Sequence, residues 1–141
     1  MPTVAPFDLD GHCVAAAFIG NVPHFALADG KIHRLDHGHQ TETAHDGLLS
    51  ATYDPANDRL ITGGEDGKVV ATKPEGVTET LAEIGRKWVT SVAAGPQGAV
   101  AFGSGRAAYV RFADGKQKEL QHPRSVEGVA FSPKGMRIGV A

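Results

Sequence analysis

"RLITGGEDGKVV", residues 59–70, sets two short apolar runs on either side of Gly63-Gly64-Glu65-Asp66-Gly67. Three glycines beside Lys68 suit either a phosphate cradle or a tight β-turn. The phosphate template G-x-x-x-x-G-K-[ST] fails at both ends. Thr62 stands where its first glycine belongs, and Val69 follows the lysine. That template also needs a helix whose N-terminal amides face the anion, whereas Val69-Val70-Ala71 favours a strand. Glu65 and Asp66 would repel phosphate. The hairpin reading fits better. Leu60-Ile61-Thr62 and Val69-Val70-Ala71 are of strand length, and Asp66-Gly67 tolerates the positive φ of a type I′ turn. "GSGRAA" (103–108) matches the loosest dinucleotide pattern, but "AYVRFADG" after it reads as strand and turn rather than helix.

The same turn chemistry recurs along the chain. Proline turns close apolar runs at Pro55, Pro96 and Pro133, spaced 41 and 37 residues apart. Asp-Gly turns at Asp29 and Asp66 are 37 apart, and Gly38, Gly76 and Gly115 are 38 and 39 apart. His45 and His122 precede equivalent runs, two periods from one another. A unit therefore reads as four short strands, a to d, joined by a proline turn, a tight turn and a glycine turn. A period near 40 built from four strands predicts an all-β, propeller-type repeat. "ETLAEIGRKW" (79–88) is the nearest helical candidate, but Gly85 interrupts it and no pair of caps frames it.

On "VEGVAFSPKG" (126–135), "ITGGEDGKVV" (61–70) and His45, the chain resembles the WD-repeat β-propeller family. The resemblance implies a hydrogen-bonded network inside each blade, from a histidine before strand a, a Ser or Thr on strand b, an Asp in the b–c turn and a Trp on strand c. His45, Thr62 and Asp66 match the first three, but Thr72 occupies the Trp slot and Lys73 the Asp that follows it. In the next unit Phe112 takes the Trp slot, while Phe102 and Arg106 replace the Ser/Thr and Asp. The repeats are degenerate. The expected layout is a possible ring-closing strand over 1–11, blades over 12–44, 45–84 and 85–121, and the start of a fourth over 122–141. Because propellers have roughly four to eight blades, these three and a half units read as the N-terminal half of a longer protein, a fragment.

Composition narrows the function. The chain has 141 residues, 41% hydrophobic and 21% charged, which is globular rather than disordered. A net charge of −2 gives no electrostatic pull towards nucleic acid or anionic membrane. Cys13, the single cysteine, forms no intramolecular disulfide or cysteine-based zinc site, and its apolar neighbours predict burial. The N-terminus lacks the pattern of a signal peptide, and the longest apolar run, 13–19, is far too short to span a bilayer. The cytoplasm is the expected compartment.

No nucleophile elbow or Cys-His pair is present, so the expectation is a protein that is not an enzyme and needs no cofactor. The resemblance implies a scaffold for protein partners, gripped by d–a and b–c loops that here include Glu65, Lys68, Lys87, Trp88 and Arg106. Trp88, the only tryptophan, is either the anchor of that surface or core packing at the start of a strand. Two alternatives stand beside it. One is metal (zinc) handling by His33, His37, His39 and His45, four imidazoles within thirteen residues, with His37 and His39 converging across Gly38. The other is an enzyme whose site lies in downstream blades.

Overall fold

Short runs rich in Val, Ile, Ala and Thr, each ended by a glycine or proline turn, pair with the run that follows them. The structure, a computed structural model, describes residues 6–141. It is all-β, with one single-turn 3-10 segment at Pro96–Gly98. The first sheet contains β1 (Cys13–Ile19), β2 (Val22–Leu27), β3 (Lys31–Leu35) and β4 (His39–Thr43). The second contains β5 (Leu48–Asp54), β6 (Arg59–Gly64), β7 (Lys68–Thr72) and β8 (Thr78–Glu83). The third contains β9 (Ser91–Ala94), β10 (Val100–Ser104), β11 (Ala107–Arg111) and β12 (Gln117–Gln121). A fourth, two-stranded sheet pairs β13 (Val129–Phe131) with β14 (Ile138–Val140). Every sheet is an antiparallel meander in chain order. Of the expected ring-closing strand over 1–11, residues 1–5 lie outside the described residues and 6–11 form no strand.

The first strands lie side by side in order, β1 against β5, β5 against β9, and β9 against β13. β4 and β12 face outward, whereas β8 turns Leu81 and Ala82 into the core. All of β12 is exposed, and so is β4 apart from a half-buried Glu42. Two apolar layers fill the space between consecutive sheets. Ile19, Ala26, Ile32, Leu48 and Leu60 form the first. Ile61, Val69, Leu81, Val89, Val100, Phe102 and Tyr109 form part of the second, with the Phe102 and Tyr109 rings stacked at 4.9 Å. Burial of these faces, at roughly 25 cal/mol per Å² of apolar surface, is what holds one sheet on the next.

Hydrogen bonds repeat at each junction. Leu48 N–H donates to the Ala28 carbonyl (3.0 Å), Val89 N–H to that of Gly64 (3.0 Å), and Val126 N–H to that of Gly105 (2.7 Å). The chain entering each new sheet is thus hung from the second-strand turn of the previous one. At the opposite end Gly20 N–H donates to Asp58 Oδ1 at 3.0 Å, joining the first two sheets again.

Two sequence expectations are corrected. The turn after β6 is not type I′, because Gly67 (φ +76°) has positive φ and Asp66 does not. It is a three-residue loop, Glu65-Asp66-Gly67, closed by Gly67 N–H to the Gly64 carbonyl (3.3 Å). This type I turn with a following left-handed glycine is the next most common hairpin solution. Gly30 and Gly115 close the same loop onto Leu27 and Phe112 (3.0 and 2.9 Å). Cys13, expected to be buried, is exposed, because it starts the strand ahead of the packed part of β1.

Candidate functional site

The turn after β6 draws three polar side chains into one network. Asp66 caps its own loop, its Oδ1 accepting from Lys68 N–H at 3.1 Å. Asp29 and Asp114 accept from Lys31 and Lys116 in the same way (3.0 and 2.9 Å). Asp66 alone also meets a histidine. His45, in the connection between β4 and β5, brings Nδ1 to 3.0 Å from Asp66 Oδ1 and Nε2 to 2.8 Å from Thr62 Oγ1. A carboxylate cannot donate, so Nδ1 carries a proton towards Asp66, while Nε2 shares a hydrogen bond with the Thr62 hydroxyl, which also lies 3.4 Å from the Val70 carbonyl. Burial raises the Asp66 carboxyl, but the His45 hydrogen bond and the Lys68 and Asp46 amides outweigh it and hold the group below its ordinary value. Gly64 makes the arrangement possible, since a Cβ there would run into the His45 ring.

The threonine, histidine and aspartate resemble a nucleophilic triad in type, but Thr62 is fully buried and no substrate reaches its hydroxyl. Thr72, in the Trp slot of the resembled family, is buried with Oγ1 unpartnered among the described residues. The first and third sheets lack the network. Phe25 stands where Thr62 would in the first, Phe102 and Arg106 stand for the threonine and aspartate in the third, and the ring of His122, which enters the fourth sheet, binds the Arg124 backbone.

Around this joint the loops form two clefts that share Trp88. Lys87, Trp88, Arg106, Tyr109, Glu119 and Glu127 are among the residues lining the first, of about 660 Å³. Asp46, Glu65, Asp66, Glu83, Arg86 and Trp88 line much of the second, of about 560 Å³. Trp88 is 57% exposed, and its neighbour Val89 takes the core position instead. Lys68 lines neither cleft; its backbone serves the turn. Burial and the nearby Glu119 carboxylate push the Tyr109 hydroxyl up from its ordinary value. Sequence reasoning missed Asp46, Glu83, Arg86 and Tyr109. Adjacency to His45 pointed towards Asp46, whereas Tyr109 and Glu119 face one another only because β11 pairs with β12.

The histidines separate. His33 pairs with Thr41 across β3 and β4, and Leu35 with His39, so His33 and His39 are diagonal neighbours on one face. His33 Nδ1 lies 2.7 Å from His39 Nε2, and Phe7 sits edge-on to His39 at 5.4 Å. His37, which the sequence placed against His39, has a fully exposed side chain, and His45 is engaged with Thr62 and Asp66. No group of three or more potential metal ligands exists among the described residues. Burial and the His39 charge lower the His33 pKa, the Asp29 carboxylate opposing them.

No protein-family model and no curated protein matches the chain. Its fold is similar to a solved structure described as the crystal structure of the computationally designed Ika4 protein, with a TM-score of 0.75 over 100% of this chain and 98% of that one. At 18% identity the likeness concerns the fold alone. No helix among the described residues is long and apolar enough to cross a membrane.

Proposed function

We propose that the four sheets are successive blades of a degenerate WD-type propeller, and that the protein is a scaffold binding a protein partner at the loop rim around Trp88. Support for the blade reading comes from the first strands lying side by side while β4 and β12 face outward, and from the hydrogen-bonded set His45, Asp66 and Thr62. The observation that carries the binding reading is the exposure of Trp88 between two clefts. A tryptophan held in water loses a large apolar contact that a partner can restore, and such residues dominate binding energy at interfaces. Lys87 and Arg106 on one side and Glu65 on the other supply a polar rim of the kind that surrounds such anchors.

Affinity capture from an extract of the source cells tests this, comparing the unaltered protein with Trp88→Ala and with Phe18→Ala, whose 69% exposed ring lies beside the β1–β2 turn. A partner retained by Phe18→Ala and lost by Trp88→Ala supports the rim. Equal retention by both variants overturns it.

A further inference from the structure

Trp88 divides two clefts of different charge. The first mixes Lys87 and Arg106 with Glu119 and Glu127. The second sets four carboxylates, Asp46, Glu65, Asp66 and Glu83, against the single guanidinium of Arg86, with the indole as one wall. Asp46, Glu65 and Glu83 are exposed and form no ion pair among the described residues, and neither does Arg86. Asp66 is held ionised by His45 and two backbone amides. The Glu65 carboxyl lies over Gly47, where a Cβ would stand 3.0 Å from it, so the glycine leaves it room at the cleft edge.

We propose that this acidic cleft receives a basic side chain, arginine or lysine, carried by a segment of the partner that packs against Trp88. The inference rests on the binding reading above and gives it a chemistry. The carboxylates alone would be an ordinary solvated surface. The exposed indole at their edge changes that, because a guanidinium between them is attracted by the ring face and by the carboxylates together. Nucleic acid and anionic lipid carry the wrong charge for the cleft. An exposed ion pair contributes little by itself, so the charge selects and steers the partner while the indole supplies contact area.

The single tryptophan makes the test direct, because all indole fluorescence comes from Trp88. The probe is a capped Gly-Ser-Arg-Ser-Gly peptide, and its control carries citrulline, a neutral isostere of arginine. The expected result is a saturable change in emission with the arginine peptide, weakened about tenfold by citrulline and about tenfold in Glu65→Gln/Glu83→Gln. Equal affinity for the two peptides, or no change up to millimolar peptide, overturns the proposal. The double variant is first shown to unfold at the same urea concentration as the unaltered protein. Capture separates the two readings. If the double variant keeps the partner and Trp88→Ala loses it, the charge proposal fails and the rim stands. If neither variant loses the partner, both fail.

Discussion

His45 and Asp66 lie twenty-one residues apart in sequence, and their Nδ1 and Oδ1 atoms are 3.0 Å apart. The bond ties the connection leaving the first sheet to the tight turn of the second, and Thr62 completes it from β6 at 2.8 Å.

The loss of the tryptophan partner at Thr72 suggests, from sequence, that Asp66→Ala costs little. The structure argues for more. Asp66 accepts from His45 and from the amides of Lys68 and Asp46, and its removal strands a buried imidazole donor. The expected loss is about 2 kcal/mol in urea unfolding, with about 1 kcal/mol for Thr62→Val. A loss under about 0.5 kcal/mol for Asp66→Ala would show that the network contributes nothing.

The same carboxylate sets an acid dependence. Its pKa is lowered in the folded protein from an ordinary 3.8. The unfolded chain therefore takes up the proton first, and the contribution is whole above pH 3.8 and fades as pH falls through the folded value. Asp66→Asn should be less stable than the unaltered protein at pH 7, and the gap should narrow below pH 3.8. A gap that stays constant down to pH 2 contradicts this.

His33 acts at higher pH with the same sign. Its folded pKa lies below 6.5, chiefly through burial and then through His39, so the unfolded state binds the proton more readily. Stability should fall as pH drops below 6.5 and level off once the folded form protonates too. The groups facing it include His39, Thr41, Asp29 and Lys31. His33→Gln should flatten that part of the profile, and an unchanged slope would count against the pair.

Gly67 and Gly115 close the same kind of loop at similar φ, +76° and +89°. A methyl on Gly67 would overlap the Gly85 carbonyl, while one on Gly115 meets nothing within 4 Å. Gly115→Ala should cost about 1 kcal/mol, the strain of a left-handed residue, and Gly67→Ala clearly more. Equal unfolding midpoints for the two variants would show that the next connection does not press on the turn.

Trp88→Ala should leave stability within about 0.5 kcal/mol, because the side chain is largely in water. Acrylamide should quench its emission readily. Resistance to quenching together with a destabilised variant would mean that Trp88 is packed inside after all.

Much of the sheet pattern was legible because its causes are local. Asp29-Gly30 and Asp66-Gly67, with Val- and Ile-rich runs beside them, encode turn and strand within a dozen residues. The turn type was misread, because Asp-Gly serves both the two-residue and the three-residue loop and only the hydrogen bond from Gly67 to Gly64 separates them. Of the site, the resemblance singled out His45, Thr62 and Asp66, but the crossing of the histidines was hidden. His37 and His39 are close in sequence, yet strand register sets His39 against His33.

The sequence by itself determined where most of the turns fall and which runs between them favour strands, because φ preferences and β-branching act on neighbouring residues. Tertiary structure alone decided that Val89 goes inside and Trp88 outside, and that Asp46, Glu65 and Glu83 gather beside the indole. Asp46 and Glu65 come from two different connections and Glu83 from the end of β8, and their meeting depends on how the sheets stack. That stacking is driven by non-directional apolar burial spread over many residues, which no short stretch of chain encodes.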